Sequence, residues 1–140
     1  MQPAERALAR SIELAKVFGA RVIVADVAAP APAPDFAVSG AFGMQPYYTY
    51  DLAQEQRVDQ MLWNRHRDEI ASLFAGSGVT HEFAGVVGQP AAEILEVADH
   101  YDADLIVVGT REASFFERLL EGSVSERVAR GAHRDVLIVH

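Results

Sequence analysis

The chain has 140 residues, half of them hydrophobic and 23% charged, which is enough apolar material for one compact domain spanning 1–140. Its formal net charge is -8, and eleven arginines and the single Lys16 are scattered among acids rather than gathered on a face, which argues against nucleic acid as a direct partner. There is no cysteine, so a disulfide framework, a thiolate nucleophile and a thiolate metal site are excluded. No apolar run approaches the roughly 18 residues of a membrane span, and the N-terminus lacks the layout of a secretory signal. The reading is a soluble, cytoplasmic protein without a membrane partner.

In chain order, "PAERALARSIELAKVFGA" sets Leu8, Ile12, Ala15 and Phe18 at helical spacing. Pro3 suits a first turn and Gly19 a C-cap. "RVIVADV" (21–27) follows as a β-branched run with little polar alternation, the pattern of a strand buried on both faces. Residues 51–75 predict a second helix with Leu52, Val58, Leu62, Ile70 and Leu73 turned inward, ended by "GSG" at 76–78. A strand in "THEFAGVVG", a helix in "PAAEILEVADHY", a strand in "DLIVVG", a helix from Val124 to about Gly131 and a last strand in "DVLIV" complete the chain. Strands alternating with helices predict parallel pairing through right-handed crossovers, hence a doubly wound, open parallel α/β sheet of Rossmann type.

The stretch "AAPAPAPDFAVSGAFGMQPYYTY" (28–50) mixes Ala-Pro alternation with glycine and clustered aromatics, which suits neither a helix nor a central strand. It reads as a long insertion over the C-terminal edge of the sheet, either a mobile loop or a lid. Phe36, Phe42, Tyr47, Tyr48 and Tyr50 need a surface to cover, which a bound base or a partner subunit would supply.

The C-terminal stretch carries the chemistry. Gly109 ends a buried strand, Gly122 and Ser123 follow after twelve positions, and Ser123-Val124-Ser125-Glu126 has the form of a capped helix start. In an open parallel sheet, ligands lie beyond the carboxyl ends of the strands, where glycine admits close approach and a helix N-terminus faces an anion. That arrangement suits a phosphate. A capping box between Ser123 and Glu126 explains the same residues without any ligand.

These residues resemble the universal stress protein family, whose signature is Gly, two residues, Gly, nine residues, then Gly-Ser or Gly-Thr. The likeness runs through "LIVVGTREASFFERLLEGSVSERVARGAHRDVLIVH" and upstream through "GQPAAEILEVADHYDADLIVVGT" and "ERALARSIELAKVFGARVIVADV". The resemblance implies an adenine nucleotide alpha hydrolase-like fold and a homodimeric stress-response regulatory or protective protein. It also implies binding of ATP or AMP, with Mg, rather than substrate turnover. Carried onto this chain, the phosphates would lie at Val108, Gly109, Arg111, Glu112, Gly122, Ser123, Val124 and Ser125, with Asp26 or Val27 near the base.

Two departures bear on that expectation. Glu112 stands where the family has its second glycine, and brings a Cβ and a negative charge toward the phosphates. Two like charges about 4 Å apart would cost on the order of several kcal/mol at an effective dielectric near 20. The carboxylate escapes that cost if it turns outward, pairs with Arg111, or shares a Mg²⁺ with the phosphate. The expectation is weakened nucleotide binding. Family members also open with a strand resembling "ILVAVDGS", central in a five-stranded sheet, whereas this chain opens within the following helix and shows four strands. Buried backbone groups left unpaired there would each cost roughly 1–3 kcal/mol. Truncation of the chain, closing up of the flanking strands, or filling by a piece such as "DFAVSG" would resolve the gap; truncation is the favoured reading.

Enzyme signatures are missing. There is no Gly-x-x-x-x-Gly-Lys-Ser/Thr, and "GSVSE" lacks the strand-turn-helix setting of a nucleophile elbow. His66, His81, His100, His133 and His140 show no metal-ligand spacing and read as surface or helix-end residues, and "MLWNRHRDEI" reads as a helix face. The expectation is no catalytic residue and no metal site, with slow ATP hydrolysis as an alternative to nucleotide sensing. "DVLIVH" predicts an apolar edge strand, so Val136, Leu137, Ile138 and Val139 are the candidate dimer interface.

Overall fold

The computed structural model describes residues 2–28, 52–110 and 124–140, and within these it leaves the side chains of 52–59 undescribed. The order is α1 (Pro3–Phe18), β1 (Val22–Ala28), α2 (Leu52–Phe74), β2 (His81–Val87), α3 (Pro90–His100), β3 (Leu105–Gly109), α4 (Val124–Gly131) and β4 (Asp135–Val139). Each predicted element among these residues is present. The insertion expected over 28–50 lies, from residue 29 on, outside the described residues.

Local chemistry sets the helix ends. Pro3 occupies the first turn of α1, the Gln2 amide donates to Glu5 Oε2 at 2.9 Å, and Gly19 closes the helix in the left-handed region at φ 63°. The residues of α1 that are buried are small, Ala7 and Ala15, whereas Phe18, expected inward, is 75% exposed. Small residues let α1 approach the sheet closely: a Cβ on Gly109 would stand 2.6 Å from the carbonyl carbon of Pro3. The C-terminus of α3 is held from a distance. Arg134 Nη1 donates to Ala98 O at 2.9 Å and to Ala103 O at 2.6 Å, and Nη2 to Asp99 Oδ1 at 2.7 Å. A guanidinium thus gives a charged donor to Ala98 O, which also accepts the Ala103 amide, and to Ala103 O just past the helix.

The inward face of α2 is rotated from the one expected. Ile70 is turned inward as expected, but Leu62 and Leu73 are exposed, and Trp63, His66 and Phe74 join Ile70 on the inward face instead. Their spacing of three and four is helical, but a histidine holds one position, so a purely apolar pattern misplaces the stripe. Phe74, 4% exposed, stacks on His81 of β2 with ring centroids 4.2 Å apart.

The four strands run parallel in pairs. β1 pairs with β2 from Val22↔His81 to Ala28↔Val87, and β3 with β4 from Leu105↔Asp135 to Gly109↔Val139. The single continuous sheet expected from the alternating elements is here interrupted: among the described residues no ladder joins β1 to β3. The flanking strands have not closed up. Ala98, Ile106 and Val128 form the core, with Ile94, Leu95, Val108 and Val136 packed on it, so the best-buried part lies between β3–β4 and the α3–α4 layer. Helix α1 covers the opposite face of β3 and β4.

Candidate functional site

A cavity of about 560 Å³ lies where the two ribbons part. Val22 to Asp26 of β1 and Leu105 to Gly109 of β3 line it without a gap in either run. Alternate residues of a strand point to opposite faces, so a wall built from consecutive residues is the edge of the strand. Residues of α1, α2 and α3 close the two faces, and the wall is mainly apolar, with Glu5, Asp26, His66 and Glu69 as its charged or ionisable members and Tyr101 toward the strands' N-terminal end.

The carboxyl end of the strands is the polar end. Asp26 is the one charged residue of β1, and its Oδ2 lies 2.5 Å from His66 Nδ1 of α2. Register explains the placement: Asp26 lies opposite Gly85 on β2, and Trp63, one turn before His66, covers Gly85. With no side chain at 85, α2 comes near enough for His66 to reach Asp26. The carboxylate fixes the ring and leaves Nε2 as the nitrogen able to meet another group. Both side chains are part-exposed, so the pair is accessible to solvent.

The residues carried over from the family motif divide as follows. Asp26, Val108, Gly109 and Val124 line this one cavity, so strand β1, strand β3 and the first residue of α4 converge as the sheet geometry requires. Val27 lies on β1 one residue past the lined stretch, and Ser125 is buried in the first turn of α4. Arg111, Glu112, Gly122 and Ser123 lie outside the described residues, as does the Ser123 cap. Gly109 has a structural reason beside any ligand, because the space of its Cβ is filled by the Pro3 backbone. The expected interface residues Val136, Leu137, Ile138 and Val139 lie on β4, whose only ladder among the described residues is to β3.

Sequence reasoning overlooked His66, placed on the surface, together with Glu5 and Glu69. A signal for His66 existed: Asp26 interrupts an apolar strand and needs a partner, and His66 sits at inward spacing between Trp63 and Ile70. Among the described residues no group of three metal-ligating side chains is found, and no helix is long and apolar enough to cross a membrane.

The universal stress protein family model matches residues 1–140. The chain is 35% identical over 137 residues to a universal stress protein of Thermus aquaticus, covering 97% of this chain and 89% of that one. A universal stress protein of Methanocaldococcus jannaschii is 54% identical over 52 residues, which are 37% of this chain and 31% of that protein. Among solved structures, a universal stress protein in complex with cAMP is 28% identical with a TM-score of 0.66, over 99% of this chain and 89% of that one. With the strand-helix order, the parallel pairing and a match along its whole length, the chain belongs to the universal stress protein family.

Proposed function

We propose that this protein is a cytoplasmic stress-response regulatory or protective protein that takes up an adenine nucleotide at the carboxyl end of its strands and does not turn it over. The observation that carries this reading is the convergence of Asp26, Val108, Gly109 and Val124 on one cavity. The cAMP held by a structural neighbour supports an adenine nucleotide as the ligand class. In this reading the base and ribose lie toward Asp26 and Val27. The phosphates lie between Gly109 and the first turn of α4, where helix N–H groups favour an anion. Glu112 weakens the binding by placing charge and bulk beside the phosphates. Copies pair through Val136 to Val139 along the edge of β4 that, among the described residues, carries no ladder.

Calorimetric titration of Mg-ATP and AMP into this chain and into Glu112→Gly tests the reading. Binding that tightens in the variant supports a nucleotide site attenuated by Glu112. Equal binding in both supports the site and removes the attenuation. Heat from neither protein with either nucleotide overturns the reading, and inorganic phosphate released in proportion to protein through purification replaces binding with slow hydrolysis.

A further inference from the structure

At the amino ends of β1 and β2, the opposite end of the strands from Asp26 and Gly109, a phenol, a carboxylate and a guanidinium meet. Tyr101 caps α3 and its amide donates to Val97 O at 3.1 Å, so the helix end fixes where the ring stands. The Tyr101 hydroxyl donates to Glu82 Oε1 at 2.8 Å, and Glu82 is the second residue of β2, opposite Ile23. Arg21 lies just before β1, with Nη1 3.9 Å from Glu82 Oε2 and its guanidinium carbon 5.9 Å from the centre of the Tyr101 ring. His100 meets the same ring edge-on, with centroids 4.9 Å apart. The ring is half-buried while Glu82 and Arg21 are exposed, so a small reagent in solution reaches the group.

This pairing suits the loss of one electron from the phenol. A phenol that gives up an electron becomes a strong acid, so the loss is fastest where a base already in contact takes the proton in the same step. The Glu82 carboxylate is an acceptor in contact with the hydroxyl, and the product is a neutral radical that builds no positive charge beside Arg21. The chain has no cysteine, so no thiol competes for an oxidising radical. The surroundings also select the reagent. Glu82, Asp99, Asp102 and Asp104 are all exposed near the ring's place in the chain, on a protein of net charge -8, and this field disfavours anionic oxidants over neutral ones.

We propose that Tyr101 is a modification site, nitrated by the neutral radical nitrogen dioxide with Glu82 as the proton acceptor. One nitrogen dioxide takes an electron from the phenol and leaves as nitrite, while the hydroxyl proton passes to Glu82 Oε1 and from there to water. A second nitrogen dioxide joins the tyrosyl radical at the ring carbon next to the oxygen, forming a C–N bond. The hydrogen on that carbon then moves to the oxygen, which restores the aromatic ring and the hydroxyl. Each nitro group thus uses two nitrogen dioxide radicals and releases one nitrite and one proton. The new nitro oxygen lies beside the hydroxyl and draws its hydrogen away from Glu82, which loosens the link from the end of α3 to β2. The carboxyl-end site takes no part in these steps, so this inference stands independently of nucleotide binding.

The test exposes the 140-residue chain and its Glu82→Gln variant to nitrogen dioxide, generated at neutral pH from nitrite by a peroxidase and hydrogen peroxide. Glutamine keeps the shape and an accepting oxygen but is no base. Peptide mass mapping over time gives the nitration rate at residue 101 and, as internal reference, at Tyr47, Tyr48 and Tyr50. Nitration of Tyr101 is expected in the wild type, slowed roughly fivefold in Glu82→Gln relative to the three reference tyrosines. In concentrated urea the two proteins should nitrate residue 101 at the same rate, because the Glu82 contact is gone. No nitration at 101 while the reference tyrosines react overturns the proposal, as does a rate at 101 indifferent to residue 82 in the folded chain. A difference between the two proteins that persists in urea overturns it equally, since the folded contact would then not be its cause.

Discussion

Trp63 covers Gly85 so closely that a Cβ on residue 85 would stand 2.8 Å from its indole ring. The contact sets the distance of α2 from β2, and through it the reach of His66 to Asp26. Gly85→Ala should therefore cost about 1–3 kcal/mol by overpacking and push α2 outward. The sequence has one tryptophan, so its fluorescence reports this contact alone. A red-shifted emission with a lower urea midpoint is expected; unchanged emission and stability would mean that the indole does not rest on residue 85.

Gly109→Ala sets a Cβ against backbone rather than against a flexible side chain, since its nearest neighbours are Pro3 carbonyl atoms. Helix α1 must shift its first turn away from β3, and the expected loss is about 1–3 kcal/mol. Thermal unfolding of the nucleotide-free chain measures it. Wild-type stability with lost nucleotide binding would instead assign the glycine to the ligand alone.

Arg134 ties the turn before β4 to the last turn of α3, with only 18% of its side chain exposed. Arg134→Ala should lower stability by about 2–3 kcal/mol, because two carbonyls lose a charged donor in a partly buried setting. Lysine at 134 should restore less than half, having no planar fork to reach Ala98 O and Ala103 O together. Urea unfolding of the three proteins gives the ranking; a lysine variant equal to wild type would show that charge alone matters.

The Tyr101 hydroxyl donates to Glu82 Oε1 at 2.8 Å, and this bond to a carboxylate, then desolvation and the Glu82 charge, raise the phenol above its ordinary value against a lowering by Arg21. The neutral phenol is the form that donates. Its contribution to stability is therefore complete below the unfolded value of about 10 and is lost as pH rises through the higher folded value. Ring-carbon NMR of assigned Tyr101 should titrate later than a free tyrosine, and Glu82→Gln should move it down. A Tyr101 midpoint indifferent to residue 82 would remove the carboxylate as the cause.

The elements were legible because local patterns carry them. The run 21–27 reads as a strand from its β-branched content alone, and the structure places it at Val22–Ala28, one residue along. Gly19 announces the end of α1 by its chemistry, and the alternation of elements announces parallel pairing. What local pattern could not carry is partnership at long range. His66 is oriented by Asp26, forty residues earlier, and by a glycine nineteen residues later, and neither leaves a mark on the helix itself. Leu62 and Leu73 look like core because they are apolar, yet the face of α2 that meets β2 is chosen by where an indole fits. The motif glycine at 109 was legible as a close approach, but the approaching group in the structure is the start of α1.

The division of the strands into two ribbons bears on how the fold comes apart. Without ladder hydrogen bonds between β1 and β3, cooperativity between the halves passes through side-chain contacts of α1 and α3, which each touch strands on both sides. The half holding Val128, Ile106 and Ala98 has the buried core, while no residue of β1 is fully buried. Native-state exchange should accordingly find the β1–β2 amides opening at lower free energy than those of β3–β4, as a separate cooperative unit.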